Sequence, residues 1–164
     1  MTSYRRILTP LGTLIATAFG GSLTGLYYEG GRHAPSVSPQ WIEQPDAAPL
    51  AECARQLSEY FEGRRECFEL PLAPKGTPFQ ERVWREIAQV PYGETISYAE
   101  LARRAGCPGS ARAAGAATGR NPLSIVVPCH RIVGSAGSLT GYAGGLERKT
   151  RLLQIESARS LEAA

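Results

Sequence analysis

The sequence predicts an α+β protein: a small strand-rich lobe over residues 1–73, then a helical lobe over residues 74–164 built around a helix-turn-helix. Three observations carry that expectation. The first third consists of β-branched, aromatic and apolar runs broken by glycine and proline turns. The second part opens with two helix-start signals in quick succession. Charge is also split unevenly: residues 1–73 hold 6 basic and 8 acidic side chains, net −2, while residues 74–164 hold 12 and 7, net +5.

Taken in order, "ILTPLGTLIATAF" and "SLTGLYYEG" read as strands punctuated by "PLG" and "GGS". "HAPSVSPQWIEQPDAAP" follows, with four prolines and no apolar period, and reads as a loop. Leu50, Cys53, Ala54, Leu57, Tyr60 and Phe61 then recur at helical spacing, and Gly63 closes that helix. Cys53 lies on the stripe and is expected in the core. "ELPLAPKGTP" reads as the linker to the second lobe.

In the second lobe Thr77 is a good N-cap, Pro78 suits the first helical position and Gln80 completes a capping box. Phe79, Val83, Trp84, Ile87 and Ala88 form one apolar face, and "PYG" ends the helix. Ser97 and Glu100 repeat the capping-box pattern and open "SYAELARRAG"; after "CPG", Ser110 is placed to cap "ARAAGAATGRN". Two short helices across a glycine-containing turn suit either a DNA-binding helix-turn-helix or a plain αα-hairpin. The second helix has almost no large apolar residue to bury, which favours a helix lying close to a nucleic-acid backbone. In "GLERKTRLLQIESAR", Leu146, Lys149, Leu152, Leu153 and Glu156 share a face, so Glu156 sits at the edge of the stripe or buried against a partner.

Composition bounds the function. With 43% apolar and 20% charged residues in 164, the chain suits a globular body with a real core. No apolar run approaches the roughly 20 residues of a membrane span, and "MTSYRRILTPLG" lacks a secretory apolar region. A cytoplasmic protein with no membrane partner is expected. Cys53, Cys67, Cys107 and Cys129 form no C-x-x-C pair, and with two histidines neither a metal nor a cofactor is expected. The basic second half suits a polyanion partner, or simply a solvated surface.

The chemistry concentrates in "NPLSIVVPCHRIVGSAG", Asn121 to Gly137. "IVVPCHR" reads as a buried strand stopped by Pro128. Cys129 is either a small core residue or a nucleophile, which needs a base or positive potential to become a thiolate. His130 and Arg131 supply both in sequence. Neighbours on a strand face opposite ways, so direct contact between Cys129 and His130 needs a turn there, or a bridging water. A carboxylate to orient the base would come from Glu156.

"RNP" at Asn121, "PCHR" at Cys129, "GYAGGLERK" from Gly141 and "PYGETISYAELA" from Pro91 together resemble the O6-alkylguanine-DNA alkyltransferase family, the methylated-DNA–protein-cysteine methyltransferases, from about Thr77 to Glu156. The resemblance implies a ribonuclease-H-like first lobe and a winged-helix-like second one. It implies direct-reversal repair, with the alkyl group of O6-alkylguanine, and of O4-alkylthymine, moved irreversibly to Cys129 in a single turnover. His130 is then the base acting through water, Glu156 its orienting partner and Asn121 the hinge that fixes the site's backbone. Tyr98 donates to the leaving guanine and helps rotate the nucleotide out. Arg112 fills the vacated place in the stack, and Ser135 meets the DNA backbone. The partner implied is double-stranded DNA containing O6-alkylguanine, bound by a monomer, with cooperativity along DNA left open. Ala143 stands where some members carry a hydroxyl residue, and no cysteine precedes Cys53 to form the zinc site of some members. Two other classes compete: a lesion-binding module without chemistry, which the presence of Cys129 opposes, and a Cys-His hydrolase, which leaves the helix-turn-helix and the basic half unexplained.

Overall fold

Two tight reversals build the first sheet. Strand β1 (Ser3–Thr9) turns into β2 (Gly12–Phe19), and β2 into β3 (Ser22–Tyr28). The second turn is Gly20-Gly21, both at positive φ, which L side chains disfavour and glycine adopts freely. The computed structural model describes the backbone of residues 1–163 and the side chains of residues 1–157. It divides into two units, Met1–Lys75 and a second that begins at Gly76.

In the first unit the strand order is β3-β2-β1-β4, with β1, β2 and β3 antiparallel. Strand β4 (Ile42–Glu43) runs parallel to β1 from inside the segment read as loop. Two exposed residues between prolines leave no alternation to detect, which is why the pattern missed them. Leu14 to Ala18 of β2 are all buried, apolar except for Thr17, whose hydroxyl lies 2.9 Å from that of Thr24. Helix α1 (Ala48–Phe61) buries Leu50, Cys53, Gln56, Leu57 and Tyr60, the expected stripe with one polar intruder. Gln56 is satisfied like a strand partner: its Nε2 donates to Glu69 O (2.9 Å) and its Oε1 accepts from Glu69 N (2.8 Å). Gly63, at φ 77°, ends α1 as expected. Its N–H reaches Tyr60 O (3.1 Å) and the Arg64 N–H reaches Glu59 O (2.8 Å), the two bonds of a Schellman motif.

The second unit begins with α2 (Pro78–Ala88), where the Thr77–Gln80 capping box is complete in both directions. Val83, Trp84 and Ile87 are buried as expected, whereas Ala88 faces out at the last turn. Strand β5 (Ile96–Ser97) leads directly into α3 (Tyr98–Arg104), capped by the Ser97 hydroxyl, which accepts from Glu100 N. The Glu100 carboxylate pairs instead with Arg103 and Arg104, so only half of the second expected box forms. After a turn through Gly106 and Gly109 comes α4 (Ala111–Gly119). Ser110 stands at its N-cap position but makes no side-chain capping bond. The helix is also held at its other end: Trp84 Nε1 donates to Ala117 O (2.8 Å), a second donor to a carbonyl that accepts from Arg120 N (3.1 Å). A 3-10 turn (Cys129–Arg131) precedes β6 (Ile132–Val133), which pairs parallel with β5. Helix α5 (Leu146–Ala163) follows a loop, and Leu146, expected on the apolar face, is 48% exposed because it lies at the first turn.

Candidate active site

The run from Ile125 to Pro128 is not the strand the sequence suggested; it carries two reversals of opposite hand. Val126 N donates to Ser124 O (2.8 Å) around Ile125, whose φ is 71°. This is a γ-turn of positive φ, rare for any side chain and most costly for a β-branched one. Cys129 N donates to Val127 O (2.8 Å) around Pro128, at φ −80° and ψ 64°. That is the inverse γ-turn, and the proline ring fixes its φ in advance. Strain of roughly 1–3 kcal/mol at Ile125 is comparable to the roughly 1.5–3 kcal/mol gained by burying an isoleucine, and Ile125 is 1% exposed. Apolar runs look alike to a period-based reading whether they extend or coil, so this difference was invisible in sequence.

Asn121 holds the coil together. Its Nδ2 donates to Val127 O (2.9 Å) and Leu123 O (3.4 Å), and its Oδ1 accepts from Leu123 N (3.0 Å). Cys129 then enters the 3-10 turn with its side chain buried. Burial pushes its thiol up to about 11, against the opposing effects of the Asn121 side chain, the Lys149 charge and its own backbone N–H. Those three groups are the local means of stabilising a thiolate.

Helix α5 supplies the charges. Lys149, Leu152 and Glu156 lie at helical spacing on one stripe, and all three are buried. Glu156 takes the buried, paired alternative: its Oε2 lies 2.8 Å from His130 Nε2, while Arg131 donates from Nε to Oε1 (2.8 Å) and from Nη2 to Oε2 (3.0 Å). Arg131 Nη1 also donates to Val90 O (2.7 Å), tying α5 to the end of α2. Burial pushes the Glu156 carboxyl up, but the hydrogen bonds and charges of His130 and Arg131 outweigh it and hold it at about 2. Burial lowers His130, with Glu156 opposing. A neutral imidazole against an ionised carboxylate must carry its proton on Nε2, because the carboxylate can only accept. Nδ1 is therefore the basic nitrogen, and it is buried with no protein partner among the described residues.

Lys149 is the residue that sequence reasoning passed over as a functional group, while Arg131, read there as positive potential for Cys129, pairs with Glu156. Lys149 Nζ donates to Ile132 O (2.6 Å), Thr140 O (2.8 Å) and Gly141 O (3.2 Å), and burial lowers its ammonium to about 8. The available signal was two charged residues, Lys149 and Glu156, on an otherwise apolar stripe.

Tyr98, Arg112 and Ser135 line an open cleft of about 760 Å³ with Gly115, Thr140 and Gly141. Tyr98, at the first position of α3, donates from its hydroxyl to Thr140 O (3.1 Å). Arg112 projects exposed from the first turn of α4. Ser135 lies exposed in a turn where Ala136 adopts φ 59°. Of the residues expected to do chemistry, Asn121, Cys129, His130 and Glu156 are buried together, while Tyr98 lines one cleft with Arg112 and Ser135, the residues expected to meet nucleic acid. No group of three or more His, Cys, Asp or Glu side chains is arranged to hold a metal among the described residues. No helix there is long and apolar enough to cross a membrane.

Comparison with known proteins gives one answer along the chain. Residues 3–74 match the 6-O-methylguanine DNA methyltransferase ribonuclease-like domain, and residues 78–158 the DNA binding domain of the same family. A methylated-DNA–protein-cysteine methyltransferase of Mycobacterium tuberculosis is 44% identical over 160 residues, covering 98% of this chain and 95% of its own. One from Methanosarcina barkeri is 43% identical over 153 residues, covering 93% of this chain and 96% of its own. The crystal structure of Mycobacterium tuberculosis OGT in complex with DNA superposes with a TM-score of 0.88 at 43% identity, over 96% of this chain and 94% of that one.

Proposed function

The chain belongs to the 6-O-methylguanine DNA methyltransferase family, and from that premise we propose that Cys129 is the sulfur that accepts the alkyl group. The protein repairs alkylated DNA by transfer of that group to a cysteine. The observation that carries the assignment is the pairing of His130 Nε2 with Glu156, which leaves a neutral imidazole with a basic Nδ1 beside a buried thiol in sequence and in the same 3-10 turn.

The reaction follows from these groups. His130 Nδ1 takes the thiol proton through a water, and Glu156 stabilises the imidazolium that forms. The thiolate attacks the alkyl carbon in line. The S–C bond forms as the C–O6 bond breaks, and that electron pair stays with guanine. Guanine leaves more readily as its developing charge meets a donor, the role of the Tyr98 hydroxyl. The proton taken by His130 is passed on through water to the departing guanine, and Cys129 ends as a thioether, a poor leaving group that limits the protein to one turnover.

The substrate is double-stranded DNA carrying O6-alkylguanine, with O4-alkylthymine as a second substrate by the same displacement, and the protein acts as a monomer in the cytoplasm. The target atom lies inside the stack, so the nucleotide is flipped out, at a cost of a few kcal/mol. Arg112 occupies the gap, Ser135 meets the backbone, and Asn121 keeps the coil in place. On this reading residues 74–164 are the DNA-binding and acceptor lobe, and residues 1–73 support it.

The test is to incubate the protein with duplex DNA carrying radiolabelled O6-methylguanine and count label on protein. About one label per chain is expected, and none after Cys129→Ser. Label retained by the Cys129→Ser protein would overturn the assignment.

A further inference from the structure

We propose that Ile125 is a positioning residue for the alkyl transfer: its buried side chain holds the positive-φ turn that folds Val127 back onto Asn121 and so sets where Cys129 stands. The proposal rests on Cys129 being the acceptor and adds a residue four positions upstream that touches no substrate.

The geometry runs through one carbonyl. Val127 O accepts from Asn121 Nδ2 (2.9 Å) and from Cys129 N (2.8 Å), so the hinge side chain and the acceptor's own backbone meet on it. Val127 N in turn donates to Leu123 O (2.9 Å), which requires the chain to reverse between residues 123 and 127. Ile125, at φ 71°, is the residue at which it does so. In extended backbone each residue advances about 3.3 Å, which would carry Val127 O away from Asn121 and Cys129 N with it. Both of those groups also favour the thiolate. Opening the turn would therefore displace the sulfur and part it from the Asn121 side chain, which stabilises the thiolate.

Nothing local favours the turn. Isoleucine is among the residues least suited to positive φ, and the other positive-φ positions among the described residues hold Gly, His33 and Ala136. What keeps Ile125 there is burial, for it is 1% exposed. The side chain acts as an anchor and the backbone as a compressed link, an arrangement found where surrounding structure over-determines a functional segment.

Substitution separates this from simple core filling, because the two roles rank Gly and Ala in opposite order. A filler loses more with each carbon removed, so Ile125→Ala should exceed Ile125→Gly in both stability and rate. At φ 71° alanine keeps the steric cost and loses the anchor, while glycine loses both. Single-turnover transfer from O6-methylguanine duplex, corrected for folded fraction, is expected to run Ile125→Val within about threefold of wild type. Ile125→Gly should be slower by about 30-fold, and Ile125→Ala slower again by about 5-fold or more. The pH–rate midpoint assigned to the Cys129 thiol should move up in the two slow variants and stay put in Ile125→Val and in Ile87→Ala, a truncation elsewhere in the same unit.

Alanine faster than glycine, or a slow variant with an unmoved midpoint, would overturn the proposal. If either variant is too unstable to assay at the reaction temperature, thermal midpoints scanned from the cold read the same ranking: glycine above alanine supports it, alanine above glycine sinks it. Absence of transfer by every variant and by wild type would fault the assignment of Cys129 instead, and the thermal ranking would still judge Ile125.

Discussion

His130 Nε2 stands 2.8 Å from Glu156 Oε2 with both side chains buried, although 26 residues of chain separate them. The same carboxylate receives two donors from Arg131, so one α5 side chain fixes the base and neutralises the guanidinium beside it. Removing it leaves a buried cation without its anion. Glu156→Ala is expected to destabilise the protein by about 3–5 kcal/mol, read from the denaturant midpoint. Transfer by the folded fraction should fall about 100-fold, because the imidazole is left without a fixed tautomer.

Acid stability should track the same group. The Glu156 carboxyl is held at about 2 in the folded protein, below its ordinary value of about 4.3. A lowered folded-state pKa means that the unfolded chain binds the proton first as pH drops. The contribution is full above about pH 4.3 and is lost progressively toward pH 2. The stability gap between wild type and Glu156→Gln should be constant from pH 7 to 5 and shrink below pH 4. A gap that is flat down to pH 2 would contradict the pairing.

Arg112 is exposed on α4 and lines the cleft without a role in the buried cluster. Arg112→Ala should slow repair of duplex DNA by about 10- to 100-fold, since flipping then leaves an unfilled stack. Reaction with free O6-benzylguanine, which needs no flipping, should change by less than about threefold. Equal losses on the two substrates would remove Arg112 from this role.

Trp84 Nε1 donates to Ala117 O across 33 residues, in a helix pair whose other partner is almost all alanine and glycine. Trp84→Phe leaves that carbonyl with Arg120 N as its donor, and the lost hydrogen bond should cost about 0.5–1.5 kcal/mol. Duplex affinity should weaken with it, measurable by anisotropy, because α4 is positioned from this end rather than by a side-chain cap at Ser110.

Much of this was legible in residue order. The strands around Gly20-Gly21, the α1 stripe and the Thr77–Gln80 box follow from short-range rules, and the structure obeys them. Strand β4 was not legible, because pairing with β1 is decided by partners far along the chain. The coil at Ile125 was hidden for a different reason: its cost is met by burial, which a local pattern cannot show. Lys149 was visible as a residue of the α5 stripe but not as a donor, since its three acceptors are backbone carbonyls and carry no side-chain signature.

A thiol pushed up to about 11 has a consequence for a protein that reacts once. At neutral pH only roughly one molecule in ten thousand carries the thiolate at any instant. Peroxides, disulfides and stray electrophiles attack that form, so the resting molecule keeps its one reactive equivalent in storage. Exposed Cys67 is the thiol they meet first. Burial thus sets the shelf life of the reagent, and in the proposed reaction it is Asn121, His130 and Lys149 that release it when a substrate is in place.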